Sequence, residues 1–305
     1  MSNRPIAILG FGRSGTTWLS DIVSKTLGGL ILFEPLHPQV CDFAAEVCYA
    51  PSSLATPNQR LSDHWRRALG GEIRHRWLLR NHLLSPLEDV SASFVDMVWA
   101  QCQVIGFKEI RANFMIASLI EQLNARIVFV LRHPCAVLAS IRRRRNFWNE
   151  FGWERHWAMF RERILQREPE VQDWLRPRLP VIAGATTPLE QQAVMWGVSS
   201  LLAAAQLERF GLPVFRYEDF YHQPFETTRR LLAYLGFGST PIHPAHLFVP
   251  SMTTLRTLHG FAPSENDIAA RGMRVFWEGL TEAEVQAVLG IARQFDLERW
   301  YQDAG

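Results

Sequence analysis

The chain has 305 residues, 48% of them hydrophobic, with 32 Lys+Arg against 30 Asp+Glu and a formal net charge of +2. That apolar fraction can bury a large core, and so balanced a charge excludes a generic nucleic-acid binder while allowing a local positive site. No apolar run is long enough for a membrane span or a signal-peptide core, which predicts a protein without a stable membrane anchor.

Strand-like runs fall at 5–10, 29–33, 103–108, 126–131 and 213–217, separated by helical stretches. The alternation predicts an α/β fold with a P-loop-like central parallel β-sheet flanked by α-helices on both faces. Ligands of such sheets bind beyond the carboxyl ends of the strands. The first run, Ile6-Ala7-Ile8-Leu9, leads into Gly10-Phe11-Gly12-Arg13-Ser14-Gly15-Thr16-Thr17-Trp18. Glycines let backbone approach an anion, and the first N–H groups of a helix point at it with the dipole behind them. Gly10 and Gly15 nearly match the spacing of G-x-x-x-x-G-K-[ST], but Thr16 stands where that motif needs lysine. Loss of the lysine argues against ATP or GTP turnover.

After the second run come Glu34 and His37, two candidate general bases. A helix cap or a salt bridge to a loop arginine is the other reading of Glu34. Cys41, Cys48, Cys102 and Cys135 show no metal-ligand pattern and read as reduced core thiols of a cytoplasmic protein, so no metal is expected. Cys41 and Cys48, two helical turns apart, fit one buried helix face. In the third run, Lys108 either stabilises transferring charge or forms a surface pair with Glu109. The fourth run, Arg126–Leu131, is followed by Arg132-His133-Pro134 and a helical stretch through Ser140, with Pro134 suited to the first helical turn.

Arg142-Arg143-Arg144-Arg145 covers a whole helix circumference, so one or two at most face a ligand. Arg142 or Arg143 is the candidate there, and the rest read as a solvated patch. Trp148, Trp153, Trp157 and Trp174 mark a substrate-recognition or lid insertion around 146–185 within a single domain, 1–305. Trp153 and Trp157, four residues apart, equally fit an ordinary buried helix face. An apolar helix is expected around 187–209. In Tyr217-Glu218-Asp219 the acidic pair reads as structural, capping the next helix. Thr281 and Glu284 form a capping box at the start of a C-terminal helix.

Arg13-Ser14-Gly15-Thr16-Thr17-Trp18 resembles the 5′-phosphosulfate loop of sulfotransferases that use 3′-phosphoadenosine 5′-phosphosulfate (PAPS). The strand–Arg132–helix–Ser140 unit resembles their 3′-phosphate site, and Phe33-Glu34-Pro35-Leu36 resembles a stretch of the carbohydrate-type members, which also favour arginine at the Arg13 position. The resemblance implies a sulfotransferase with PAPS as co-substrate and adenosine 3′,5′-bisphosphate (PAP) as product. It implies a donor site of Arg13, Ser14, Gly15, Thr16, Thr17, Trp18, Arg132 and Ser140, with Trp18 beside the adenine. Glu34 is then the base, ahead of His37, with Arg13 and Lys108 neutralising charge. Arg271 or Arg274 would close over the 3′-phosphate. The implied partner is a small-molecule or carbohydrate acceptor with a free hydroxyl. A P-loop kinase-like enzyme and an inactive nucleotide-binding module are the competing readings.

Overall fold

The computed structural model describes residues 4–49, 58–80, 92–102, 104–144, 152–166, 169–248 and 277–301. The strands are β1 (Ile6–Leu9), β2 (Leu30–Phe33), β3 (Ile105–Glu109), β4 (Arg126–Leu131) and β5 (Val214–Arg216). They form one sheet in the order β2-β3-β1-β4-β5, with every pairing parallel. β1 sits in the middle, with Ile6 opposite Gly106 on one side and Arg126 on the other.

Around the sheet run α1 (Thr16–Leu27), α2 (Ala44–Val47), α3 (Gln59–Leu69), α4 (Ala92–Gln101), α5 (Ile116–Leu123), α6 (Pro134–Arg143) and α7 (Trp153–Gln166). The later helices are α8 (Pro169–Leu175), α9 (Leu179–Gly184), α10 (Pro188–Arg209), α11 (Asp219–His222), α12 (Pro224–Tyr234), α13 (Pro244–Phe248) and α14 (Glu282–Arg293). The near-continuous apolar strands are what a sheet covered on both faces requires. Side chains alternate between two cores. Ala7, Leu9, Ile127, Phe129 and Leu131 join one that includes Trp65 of α3, Val137 of α6, Phe160 of α7 and Trp196 of α10. Ile6, Ile8, Val128 and Val130 join the other, with Leu19 and Ile22 of α1, Phe220 of α11 and Leu231 of α12. This two-unit period is the pleat itself.

The expected capping box at Thr281 and Glu284 starts α14, and a second, Thr187 with Glu190, starts α10. Two expectations change, and for Trp157 the buried helix-face reading holds. Cys41 and Cys48 do not share a helix, because α2 spans only Ala44–Val47, although both thiols are buried. Trp157 packs in the core, stacked on Phe160 with ring centroids 5.7 Å apart, and the Trp153 indole N–H donates to Gln191. Glu218 does not cap its own helix; its carboxylate reaches across to accept the His133 N–H at the start of α6, 2.9 Å away. Trp148, Arg145, Arg271 and Arg274 lie outside the described residues. No helix among the described residues is long and apolar enough to cross a membrane.

Candidate active site

All five strands deliver residues to one place at their carboxyl ends. A cavity there is lined by Gly12, Arg13 and Thr16 after β1, Phe33 and Glu34 at the end of β2, and Lys108 and Ile110 at the end of β3. Arg132 after β4, Tyr217 after β5 and Arg144 at the end of α6 complete the wall with Gly15, Thr17 and Trp18. Its volume of about 100 Å³ suits an anionic group, whereas sites that enclose a whole drug-sized ligand run to about 300–1,000 Å³.

The loop after β1 is shaped by its glycines. A Cβ on Gly10 would lie 2.6 Å from the Val130 carbonyl oxygen, and one on Gly15 would lie 2.2 Å from the Tyr217 ring. Gly15 is also the N-cap of α1 at φ 90°, with no side chain capping the helix and no acidic residue in its first turn. The first amides of α1 are thus left for an anion. Arg13 sits at φ 71° and Glu34 at φ 47°, both in the left-handed region. Backbone strain at non-glycine residues of this kind clusters at functional sites.

Two motifs far apart in sequence meet here. Arg13 Nε donates to Ser140 Oγ on α6 at 3.0 Å, and Arg132 Nη1 donates to the Arg13 carbonyl oxygen at 3.0 Å. Arg132 also lies 4.3 Å over the centre of the Tyr217 ring. Burial, then the charges of Arg144 and Arg132, push the Arg13 guanidinium down to about 10. Among the described residues no carboxylate forms an ion pair with Arg13 or Arg144. The run of four arginines divides unexpectedly. Arg142 is taken by Glu284 of α14, at 2.6 and 2.8 Å, and Arg143 donates to the Glu278 carbonyl oxygen at 3.1 Å. Of the three described, Arg144 lines the cavity.

Trp18 packs edge-on against Tyr217 and Phe220 and stacks with Tyr221, ring centroids 5.8 Å apart. Ser14 is buried and its N–H closes a turn to the Phe11 carbonyl oxygen at 3.0 Å, so it shapes the loop. Ser14 and Ser140 do not line the cavity.

Opposite the arginines lies a buried charge cluster. Glu34 Oε1 accepts from Lys108 Nζ, and Glu34 Oε2 accepts from Arg111 Nη1 at 3.0 Å. Both readings of the Lys108 and Glu34 side chains are thereby sharpened: Lys108 pairs with Glu34, not at the surface with Glu109. Burial alone would raise the Glu34 carboxyl, but Lys108 and then Arg111 outweigh it and hold the group at about 2. His37 is stacked on Trp77, ring centroids 3.7 Å apart, its Nδ1 accepts the Gln39 N–H, and it does not line the cavity. Arg144, Tyr217 and Arg111 are the site residues that sequence reasoning did not assign.

A family model described as "Sulfotransferase family" matches residues 5–177. No curated protein matches the chain in sequence. Among solved structures, the chain is similar to the sulfotransferase domain from the curacin biosynthetic pathway, at 14% identity and TM-score 0.47, covering 96% of this chain and 98% of that one. It is similar to the sulfotransferase domain from the Synechococcus PCC 7002 olefin synthase, at 17% identity and TM-score 0.46, covering 97% and 96%. A third is sulfotransferase STF9 from Mycobacterium avium, at 15% identity and TM-score 0.40, covering 99% of this chain and 78% of that one.

Proposed function

The chain belongs to the sulfotransferase family, and from that premise we propose that it moves a sulfuryl group from PAPS to the hydroxyl of a sugar or small metabolite. The observation that carries this reading is the convergence of Arg13, Arg132 and Arg144 on a cavity that Glu34 and Lys108 also line. Three guanidiniums converging on one cavity fit a ligand with several phosphate charges. The kinase-like reading needs a lysine where Thr16 stands.

The residues divide the work. The amides of Gly15, Thr16 and Thr17, with Arg13, hold the 5′-phosphate and neutralise it as it leaves. Arg132 holds the 3′-phosphate, with Arg144 as a further cation, Ser140 fixes Arg13 through their hydrogen bond instead of touching the phosphate, and Trp18 lies beside the adenine. PAPS supplies the activated sulfuryl group. Lys108 stabilises the charge on that group, and Glu34 takes the proton of the acceptor hydroxyl. Catalysis is then mostly positioning and electrostatics. Two cores that both span β1 and β4 support a single domain. With Trp157 in the core, any part of 146–185 that selects the acceptor falls to other residues. Four free thiols, three of them buried, support a cytoplasmic setting.

Extracts incubated with isotopically labelled PAPS and the full chain should yield a product heavier by one sulfuryl group. The product should be missing with the Glu34→Gln variant. Binding of PAP without any product over a broad acceptor panel would instead favour the inactive module.

A further inference from the structure

Lys108 pairs with Glu34 and also reaches the cavity. Its ammonium donates to Glu34, lies 4.3 Å from the centre of the Phe33 ring, and lines the same cavity as Arg13 and Thr16. Arg111 does not line the cavity. Its guanidinium bridges Glu34 Oε2 at 3.0 Å and Glu109 Oε1 at 3.3 Å. Glu109 is fixed in turn by the N–H groups of Leu36, Ile110 and Arg111, at 2.8, 2.9 and 3.1 Å. The cluster therefore holds two cations and two carboxylates, all buried. From the segment after β2 comes the titratable side chain of His37, whose backbone N–H donates to the Glu34 carbonyl oxygen at 2.9 Å.

A carboxylate that neutralises two cations is a poor base, because taking a proton would strand both of them. An anion in the cavity competes with Glu34 for Lys108 but cannot reach Arg111 in the same way. Resting on the reading of this cavity as the PAPS site, we propose that Lys108 is shared between Glu34 and the sulfuryl group, so that Glu34 becomes a base only in the donor complex. Lys108 turns to the sulfuryl oxygens, and Glu34 stays in its left-handed seat, held by Arg111 alone. The acceptor's O–H proton then passes to the Glu34 carboxylate as the acceptor oxygen bonds to sulfur. The bond between sulfur and the 5′-phosphate oxygen breaks, and its electron pair stays on that phosphate, facing Arg13 and the loop amides. Arg111 is a positioning residue: it anchors Glu34 to β3 through Glu109 and leaves it enough basicity to act.

The test is carboxyl ¹³C NMR of the full chain labelled at glutamate, with the Glu34 signal assigned by Glu34→Gln. Titration from pH 7 to below pH 2 is compared without nucleotide, with PAP, and with PAPS in the absence of acceptor. The account expects the Glu34 midpoint to rise by ~1 pH unit or more with PAPS, and by less with PAP, which lacks the sulfuryl group. In Lys108→Met the midpoint should already be raised without nucleotide, and PAPS should no longer move it. If that variant does not fold, the comparison of PAPS with PAP on the unaltered chain decides alone. PAPS that binds by calorimetry but leaves the midpoint unmoved overturns the sharing of Lys108 and spares the site. PAPS that does not bind overturns both.

Discussion

At the scale of single residues, Glu34 joins two demands that pull in opposite directions. Its charge holds Lys108 and Arg111 in a buried cluster, and its proposed role needs it to accept a proton. Glu34→Gln should therefore lower stability, by about 3–5 kcal/mol if the two cations are left uncompensated. It should also cut turnover by about 10²–10⁴-fold, the usual reach of general base catalysis, while PAP affinity stays within a few-fold. Retained turnover would remove Glu34 from the base role. A carboxyl held at about 2 stays ionised as pH falls toward that value, so its ion pairs persist across the neutral and mildly acidic range. kcat/KM should accordingly be flat on the acid side from pH 7 to 5. A limb near neutrality would assign the base to another group. Arg144 makes a second, sharper case. Its charge disfavours Arg13 in the free protein, so Arg144→Ala should raise Tm without nucleotide. The same change should weaken PAP by about 10–100-fold, the worth of one charge-assisted hydrogen bond of about 1.5–3 kcal/mol. Arg142→Ala, whose partner is Glu284, should leave PAP affinity unchanged, as isothermal titration would show.

At the scale of elements, the turn from β1 into α1 depends on β5 as much as on its own glycines. Tyr217, the first residue after β5, closes over Gly15 and carries Arg132 on its ring. Gly15→Ala would place a methyl against that ring at a φ that side chains rarely adopt. The expected cost is about 1–3 kcal/mol of overpacking, with a larger loss in PAP binding because Tyr217 and Arg132 must shift together. A denaturant midpoint and a PAP isotherm measure both; an unchanged isotherm would show that Tyr217 does not position Arg132. Much of this turn was legible in sequence, since glycine spacing and a strand-to-helix junction are local signals. The role of Tyr217 was not, because it arises from pairing β4 with β5. Arg144 was missed for a related reason. The helical circumference argument treats the four arginines as one helix, but α6 ends at Arg143, and Arg144 turns away at φ −100°, ψ 83°. Cys41 and Cys48 failed likewise, since spacing was read as helix where only Ala44–Val47 is helical.

At the scale of the whole molecule, strand order decides what can meet. The order β2-β3-β1-β4-β5 places the turn from β1 into α1 between the Glu34–Lys108 side and the Arg132–Tyr217 side. Apolar runs and their helical spacers made the parallel sheet readable, and with it the edge on which ligands bind. They did not reveal that Arg111, behind the cavity, ties Glu34 to Glu109, because that contact joins the ends of two neighbouring strands. Three arginines line this cavity, and Thr16 stands where a P-loop has its lysine. The most direct measurement is thermal unfolding of the full chain with PAP and, separately, with ATP and magnesium. PAP at about 100 times its Kd should stabilise the fold by about 2.7 kcal/mol, Arg132→Ala should abolish that gain, and ATP with magnesium should give none. Stabilisation by ATP with magnesium and not by PAP would contradict the account.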